Sequence, residues 1–323
     1  MPGTGGAPAP LIRALGWAIL AALAAYLINN ALVVGFGYSY ALQIFSGGGA
    51  KSAVTVAVYL VLIAAAIAYA LRTRQIALRQ DALRIHKFNV YIIRACFWTV
   101  LLVGVADAAI ALLRTENLLD GVFGTEMLRN LGQSHFVGKY IHLPLVALAF
   151  VIAAFTRTLG FHWLALMIVA AELSIVISRF VFSYEQALMG DLVRYWYAAL
   201  FLFASAYTLF ADGHVRVDVL YAGFSGRTRG FVNALGTLAL GMTTVWVILW
   251  IGFNGKQSII NAPVMNFEIT QQGATGMFVK YQMAAFLGIY ASTMLVQFVV
   301  FFFEAVADFR GEPGKRNTET AAH

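Results

Sequence analysis

Apolar residues in this chain gather into long runs broken by charge, glycine or proline, instead of alternating with polar residues as a half-buried strand requires. A helix crossing a hydrocarbon layer of about 30 Å needs roughly 20 mostly apolar residues. Runs near that length extend from Gly16 to Gly37, Ser52 to Leu71, Asn89 to Leu113, Ile141 to Thr156, Trp163 to Phe182, Tyr195 to Phe210, Phe231 to Phe253 and Met283 to Val306, the fourth and sixth being short. The pattern predicts an all-α polytopic integral membrane protein with about eight transmembrane helices.

Composition agrees with that reading. Hydrophobic residues make up 61% of the chain and charged ones 11%, with a mean hydropathy of +0.77, far from the polar balance of a soluble domain. The net charge of +7 would suggest nucleic acid as a partner for a soluble chain. Here most basic residues sit between apolar runs, where they set orientation, so no nucleic-acid partner is expected. Thirteen fall in alternate gaps: Arg13, Arg72, Arg74, Arg79, Arg84, Lys87, Arg157, Arg216, Arg227, Arg229, Arg310, Lys315 and Arg316. The intervening gaps hold six: Lys51, Arg114, Arg129, Lys139, Lys256 and Lys280. Because basic residues accumulate in short cytoplasmic loops, both termini are expected in the cytoplasm. The single cysteine, Cys96, lies inside an apolar run and leaves no intrachain disulfide or thiolate metal site. The first ten residues carry no basic leader, and the first span is expected to remain as an anchor.

The chain reads as residues 1–157, an N-terminal membrane extension of about four helices; residues 158–310, a four-helix membrane domain; and residues 311–323, a disordered cytoplasmic tail. Arg72 to Lys87 is a basic helical stretch with Leu71, Leu78, Ala82 and Ile85 at helical spacing, suited either to the membrane surface or to a helix end extended into water. Thr115 to Tyr140 is irregular or amphipathic, broken by Gly121, Gly124 and Gly132. No inverted repeat marks the two halves, which weighs against a self-sufficient carrier.

An ionisable side chain in hydrocarbon costs at least about 2.5 to 3.5 kcal/mol on insertion scales, so each needs a partner or an aqueous cavity. Asp107, Glu172 and Glu304 qualify. They read as structural contacts more readily than as ion carriers, with Glu172 placed for a deep contact and Glu304 near an interface beside Asp308 and Arg310. His86, His135, His142, His162 and His214 lie mainly at span ends or in loops. A b-type haem would need two facing imidazoles at one depth, so no cofactor is expected, and His142 and His162 are placed at the membrane interface. No HExxH, P-loop, GxSxG or paired-carboxylate constellation is present, and the sequence reads as no enzyme.

One stretch is more specific. After the fifth run come Ser178-Arg179-Phe180-Val181-Phe182-Ser183-Tyr184-Glu185, then Asp191-Leu192-Val193-Arg194-Tyr195. These place cations, aromatics and carboxylates at one membrane boundary, where Arg179 and Arg194 can pair with Glu185 or Asp191. The next helix closes on Asp212-Gly213-His214-Val215-Arg216-Val217-Asp218-Val219-Leu220, a turn along the membrane surface in which Arg216 and Asp218 either pair with each other or dock on a neighbouring polypeptide. In order and spacing these motifs resemble the small membrane subunit of TRAP transporters (tripartite ATP-independent periplasmic transporters), the DctQ family, over about residues 160 to 310. Phe180 stands where that family most often has Tyr, and the four-span extension exceeds its usual four helices.

The resemblance implies a scaffold in the bacterial inner membrane, held beside a large TRAP permease subunit that carries substrate and sodium sites and is fed by a periplasmic substrate-binding protein. Ion-gradient symport and membrane lipids as neighbours follow from it, and Glu172, Arg179, Glu185, Asp191, Arg194, Tyr195, His214, Arg216 and Asp218 are read as subunit-contact or structural residues. Gly236, Ala239 and Gly241 are read as sites of close helix packing. The rival reading is an autonomous transporter or channel using Asp107 and Glu172.

Overall fold

The structure, a computed structural model, describes residues 6–119, 123–158, 160–185, 187–211, 221–270 and 273–314. Among these are eight helices long and apolar enough to cross a membrane: α1 (Pro10–Phe36), α2 (Gly49–Arg72), α3 (Leu78–Thr115), α4 (Ser134–Phe155), α5 (Phe161–Val181), α6 (Ala187–Phe210), α7 (Gly226–Gly252) and α8 (Lys280–Phe309). Every run read from the sequence is present. The two short ones lengthen to Ser134–Phe155 and Ala187–Phe210. Their caps follow local chemistry. Pro10 opens α1, where its missing N–H costs nothing. Gly37 closes it at φ 69°, the left-handed geometry that returns an N–H to Leu32 O.

The chain divides into two compact units, and each draws on residues before and after position 158. The first comprises Met1–Asn89, Thr208–Lys256 and Ala291–His323. The second comprises Val90–Tyr207 and Gln257–Tyr290.

In the first unit, charged side chains tie helix ends together. Arg13 is fully buried: Nε donates to Asp81 Oδ2 at 2.7 Å, Nη1 to Ala70 O at 3.0 Å and to Thr73 O, and Nη2 to Thr73 Oγ1 at 2.9 Å. The Trp17 indole donates to the same Asp81 oxygen at 2.9 Å. Arg79 donates to Glu304 at 2.6 Å, to Asp308 at 2.7 Å and to Pro313 O at 2.9 Å. Arg72 to Lys87 is packed against other parts of this unit along one face. It holds a turn and the start of α3, whose one face buries Leu78, Arg79, Asp81, Ala82, Ile85 and His86 while Arg84 and Lys87 stay exposed. The charges are paid for by partners distant in sequence, which amphipathic spacing alone does not show. Glu304 finds its partner in Arg79.

Close packing in this unit falls at two glycines not read from the sequence and at one that was. At Gly230 an added Cβ would meet the backbone of Phe309 and Ala305, and at Gly16 the ring of Phe303. Gly241 faces the Phe298 ring, but Gly236 has open space around it and Ala239 is exposed. Of the three small residues singled out, only Gly241 permits a close approach.

The second unit is built around aromatic contacts. The Trp196 indole lies on Gly104 and donates to Val100 O at 3.1 Å. Phe203 meets Phe97 and Phe286 edge-on, with ring centres 5.9 and 4.9 Å apart. Arg94 satisfies the end of α4 through Ala153 O at 3.2 Å and Thr156 O at 2.6 Å, as a basic side chain at a helix C-terminus does.

Removing Asp81 strands the buried Arg13 without a counter-charge. Asp81→Ala is expected to cost about 3–5 kcal/mol, against about 1 kcal/mol for Trp17→Phe, which loses one hydrogen bond. Thermal unfolding of the two variants in detergent checks the ranking, and equal losses would refute it.

Candidate functional site

The polar residues of the second unit converge on the segment that leads into α8. Asp107 lies on α3, and Arg114, seven residues on, shares its face. Asp191 and Tyr195 occupy one face of α6, and Tyr281 and Gln282 sit in the first turn of α8. Around Gly276, Met277, Phe278 and Val279, all buried, these side chains close a clamp. Asp107 Oδ2 accepts the Phe278 backbone N–H at 2.6 Å. Asp191 Oδ2 accepts the Met277 N–H at 3.1 Å and the Thr270 hydroxyl at 3.1 Å. Arg114 donates to Gly276 O at 2.7 Å and to Leu131 O at 3.2 Å, with its guanidinium 4.2 Å from the centre of the Phe278 ring. Extended backbone buried in a membrane protein must find such partners, because hydrocarbon supplies none.

His142 joins the clamp through a local change in helix form. Pro144 has no N–H to return to Tyr140, and α4 widens into a π-helical turn over Gly138–His142. Gly138 lies against Phe267 and Tyr281, where a Cβ would collide with the Phe267 ring. The turn aims His142 Nε2 at Asp107 Oδ1, 3.2 Å away, and Nδ1 at the Tyr281 hydroxyl, 2.8 Å away. Gln282 Nε2 donates to the same hydroxyl at 3.0 Å, and Tyr195 donates its hydroxyl to Gln282 Oε1. With the imidazole as the Nε2–H tautomer, each donor meets an acceptor in one direction: Tyr195 to Gln282, to Tyr281, to His142, to Asp107. Phe267 sits in the left-handed region at φ 47°, unusual for a bulky residue, with its ring held between His135 and Tyr281. Glu268 closes the base, accepting the Tyr281 N–H at 3.1 Å and pairing with Lys280 at 2.8 Å.

The residues singled out from the sequence divide into three groups. Asp191 and Tyr195 are in the clamp, buried, and Asp191 does not pair with Arg179. Arg179 and Glu185 pair at 3.5 Å on an exposed surface, and Arg194 is exposed. Glu172 is exposed on α5 and makes no deep contact among the described residues. His214, Arg216 and Asp218 lie outside the described residues. His142 is 1% exposed, with its ring inside the protein. The π-turn before Pro144 and the Asp107 carboxylate bury it, whereas His162 is exposed and stacks on Phe161. His86 is also buried, bonded to Gln297 at 3.2 Å and stacked on Phe210. The sequence reading missed Arg114, Thr270, Phe278, Tyr281 and Gln282. A Tyr-Gln pair at a helix start and an Arg seven residues after an intramembrane Asp were the available signals.

This arrangement binds backbone and fixes a segment. It lies in a chain with eight helices long and apolar enough to cross a membrane among the described residues. Residues 166–308 match the family model for tripartite ATP-independent periplasmic transporters, DctQ component. The chain carries a DctQ domain over residues 166–308, preceded by additional helices, and is a transporter component, not an enzyme. No curated protein and no solved structure matches it. The domain family implies the small membrane component of a TRAP transporter and, with it, TRAP complex partners in general.

Asp107→Ala deprives the Phe278 N–H and His142 of their acceptor. The expected cost is about 1–3 kcal/mol, with amide hydrogen exchange rising across residues 273–282 and little elsewhere. Unchanged exchange in that segment would refute the clamp.

Proposed function

We propose that this chain is the scaffold subunit of a TRAP transporter in the bacterial inner membrane, holding a large permease subunit in place while that subunit moves solute. A periplasmic substrate-binding protein delivers the solute, and an ion gradient, sodium in the closest reading, drives uptake. Residues 158–310 form the transporter module, residues 1–157 the extension that secures it, and residues 311–323 the tail. Both termini lie in the cytoplasm, following the distribution of basic residues.

The match of residues 166–308 to the DctQ component carries this reading. The geometry supports it. Asp107 has both oxygens bonded, to Phe278 and His142, and is 1% exposed, so it is spent on structure and not left free to relay an ion. That counts against the autonomous transporter. The exposed Arg179–Glu185 pair and exposed Arg194 supply polar contacts suited to another subunit.

Affinity purification of the tagged chain from native membranes in mild detergent, with mass spectrometry of what accompanies it, tests the proposal. A large polytopic permease at near-equal stoichiometry is the expected result. A stable solitary chain that moves solute in liposomes would replace the scaffold with a carrier. Arg216→Ala and Asp218→Ala are expected to lower co-purified permease severalfold while leaving membrane insertion at the wild-type level, measured from the amount of chain in the membrane fraction.

A further inference from the structure

Helix α5 is the least buried of the eight spans. Only Leu164 among its residues is buried, while Trp163, Leu166, Val169, Leu173, Val176 and Phe180 are exposed. Lipid covers apolar side chains of this kind without further help. Glu172 is different. It is the twelfth residue of a 21-residue helix, which places it near the middle of the span at 1.5 Å per residue. Its side chain is exposed, and among the described residues it has no hydrogen bond or ion pair. Hydrocarbon offers a carboxylate neither donor nor counter-charge, and acidic groups at this depth face protein partners or water-filled cavities.

Residues 169, 172, 176 and 179 follow one another at helical spacing of three, four and three, so Val169, Glu172, Val176 and Arg179 form a single exposed stripe. It runs from apolar residues through the carboxylate to the Arg179–Glu185 pair, whose side chains are 62% and 57% exposed. A second copy of this chain is a poor occupant. Packing α5 against itself, parallel or antiparallel, brings the two Glu172 side chains together near the helix midpoint, and like charges repel strongly in a low-dielectric medium.

We propose that this stripe is the docking face for a transmembrane helix of the large subunit, and that the helix brings an arginine or lysine to Glu172 at mid-membrane. The proposal rests on the subunit reading above and adds to it the face and the charge of the partner. Small apolar contacts at Val169 and Val176 let the two helices approach, and the ion pair fixes their depth relative to each other.

Photocrosslinking in the intact complex tests it. A benzophenone amino acid replaces Val169 or Val176 in the full-length tagged chain, co-expressed with the large subunit identified in the purification above. A control replaces Leu60, which is 65% exposed on α2. Crosslinks to the large subunit are expected from both α5 positions, at least tenfold above the control. Glu172→Leu is expected to lower co-purified large subunit at least tenfold without lowering the yield of the chain itself, since the change removes a charge from hydrocarbon. Glu172→Gln, which keeps hydrogen bonding but not charge, should fall between. Adducts only with lipid or with a second copy, while the wild-type chain still brings down the large subunit, would overturn the docking face and leave the scaffold reading standing. Full retention of the large subunit by Glu172→Leu would do the same. A wild-type chain that brings down no large subunit would overturn both.

Discussion

A carboxylate inside a membrane protein has to be answered, and in the second unit the answer to Asp107 organises much else. Its two oxygens take a backbone N–H from Phe278 and an imidazole N–H from His142. The first bond fixes the buried segment leading into α8. The second draws in Tyr281, Gln282 and Tyr195, so that four helices and a loop share one directed set of hydrogen bonds. Such a network is worth having only when complete, because each unmet buried group costs about as much as several good contacts return.

The same constraint takes a different form in the first unit. Arg13 and Arg79 are each surrounded by carboxylates and carbonyls, and both sit where helices turn or end. An arginine suits this role because its planar fork serves several acceptors at once without losing its charge. Together with the tight packing at Gly16 and Gly230, these arginines mark the points at which the unit has little room for substitution.

Where the spans lie was legible in the sequence because hydrophobic runs are local, and so was the exposed Arg179–Glu185 pair, whose members are six residues apart. The clamp was not. Asp107 and Phe278 are separated by 171 positions and His142 and Tyr281 by 139, and no periodicity links them. The partners of His142 were hidden for a related reason: a histidine two residues before a proline does not show the π-turn that aims it at Asp107 and Tyr281. For Arg72 to Lys87 the spacing reveals the buried face but not what lies across from it. Gly230 escaped notice beside Gly236 and Gly241 since three glycines in one helix look alike until their neighbours are known. The closing motif at His214, Arg216 and Asp218, the strongest part of the family resemblance, falls outside the described residues, so its role rests on sequence.

The clamp also bears on how such a chain can change over generations. Asp107, Arg114 and His142 precede the DctQ domain, yet they hold residues inside it. Deleting the preceding helices in one step would leave Phe278 N–H, Gly276 O and the Tyr281 hydroxyl seeking new partners. A chain without those helices would need other partners for residues 276–282, so the loop and the preceding helices can change only together.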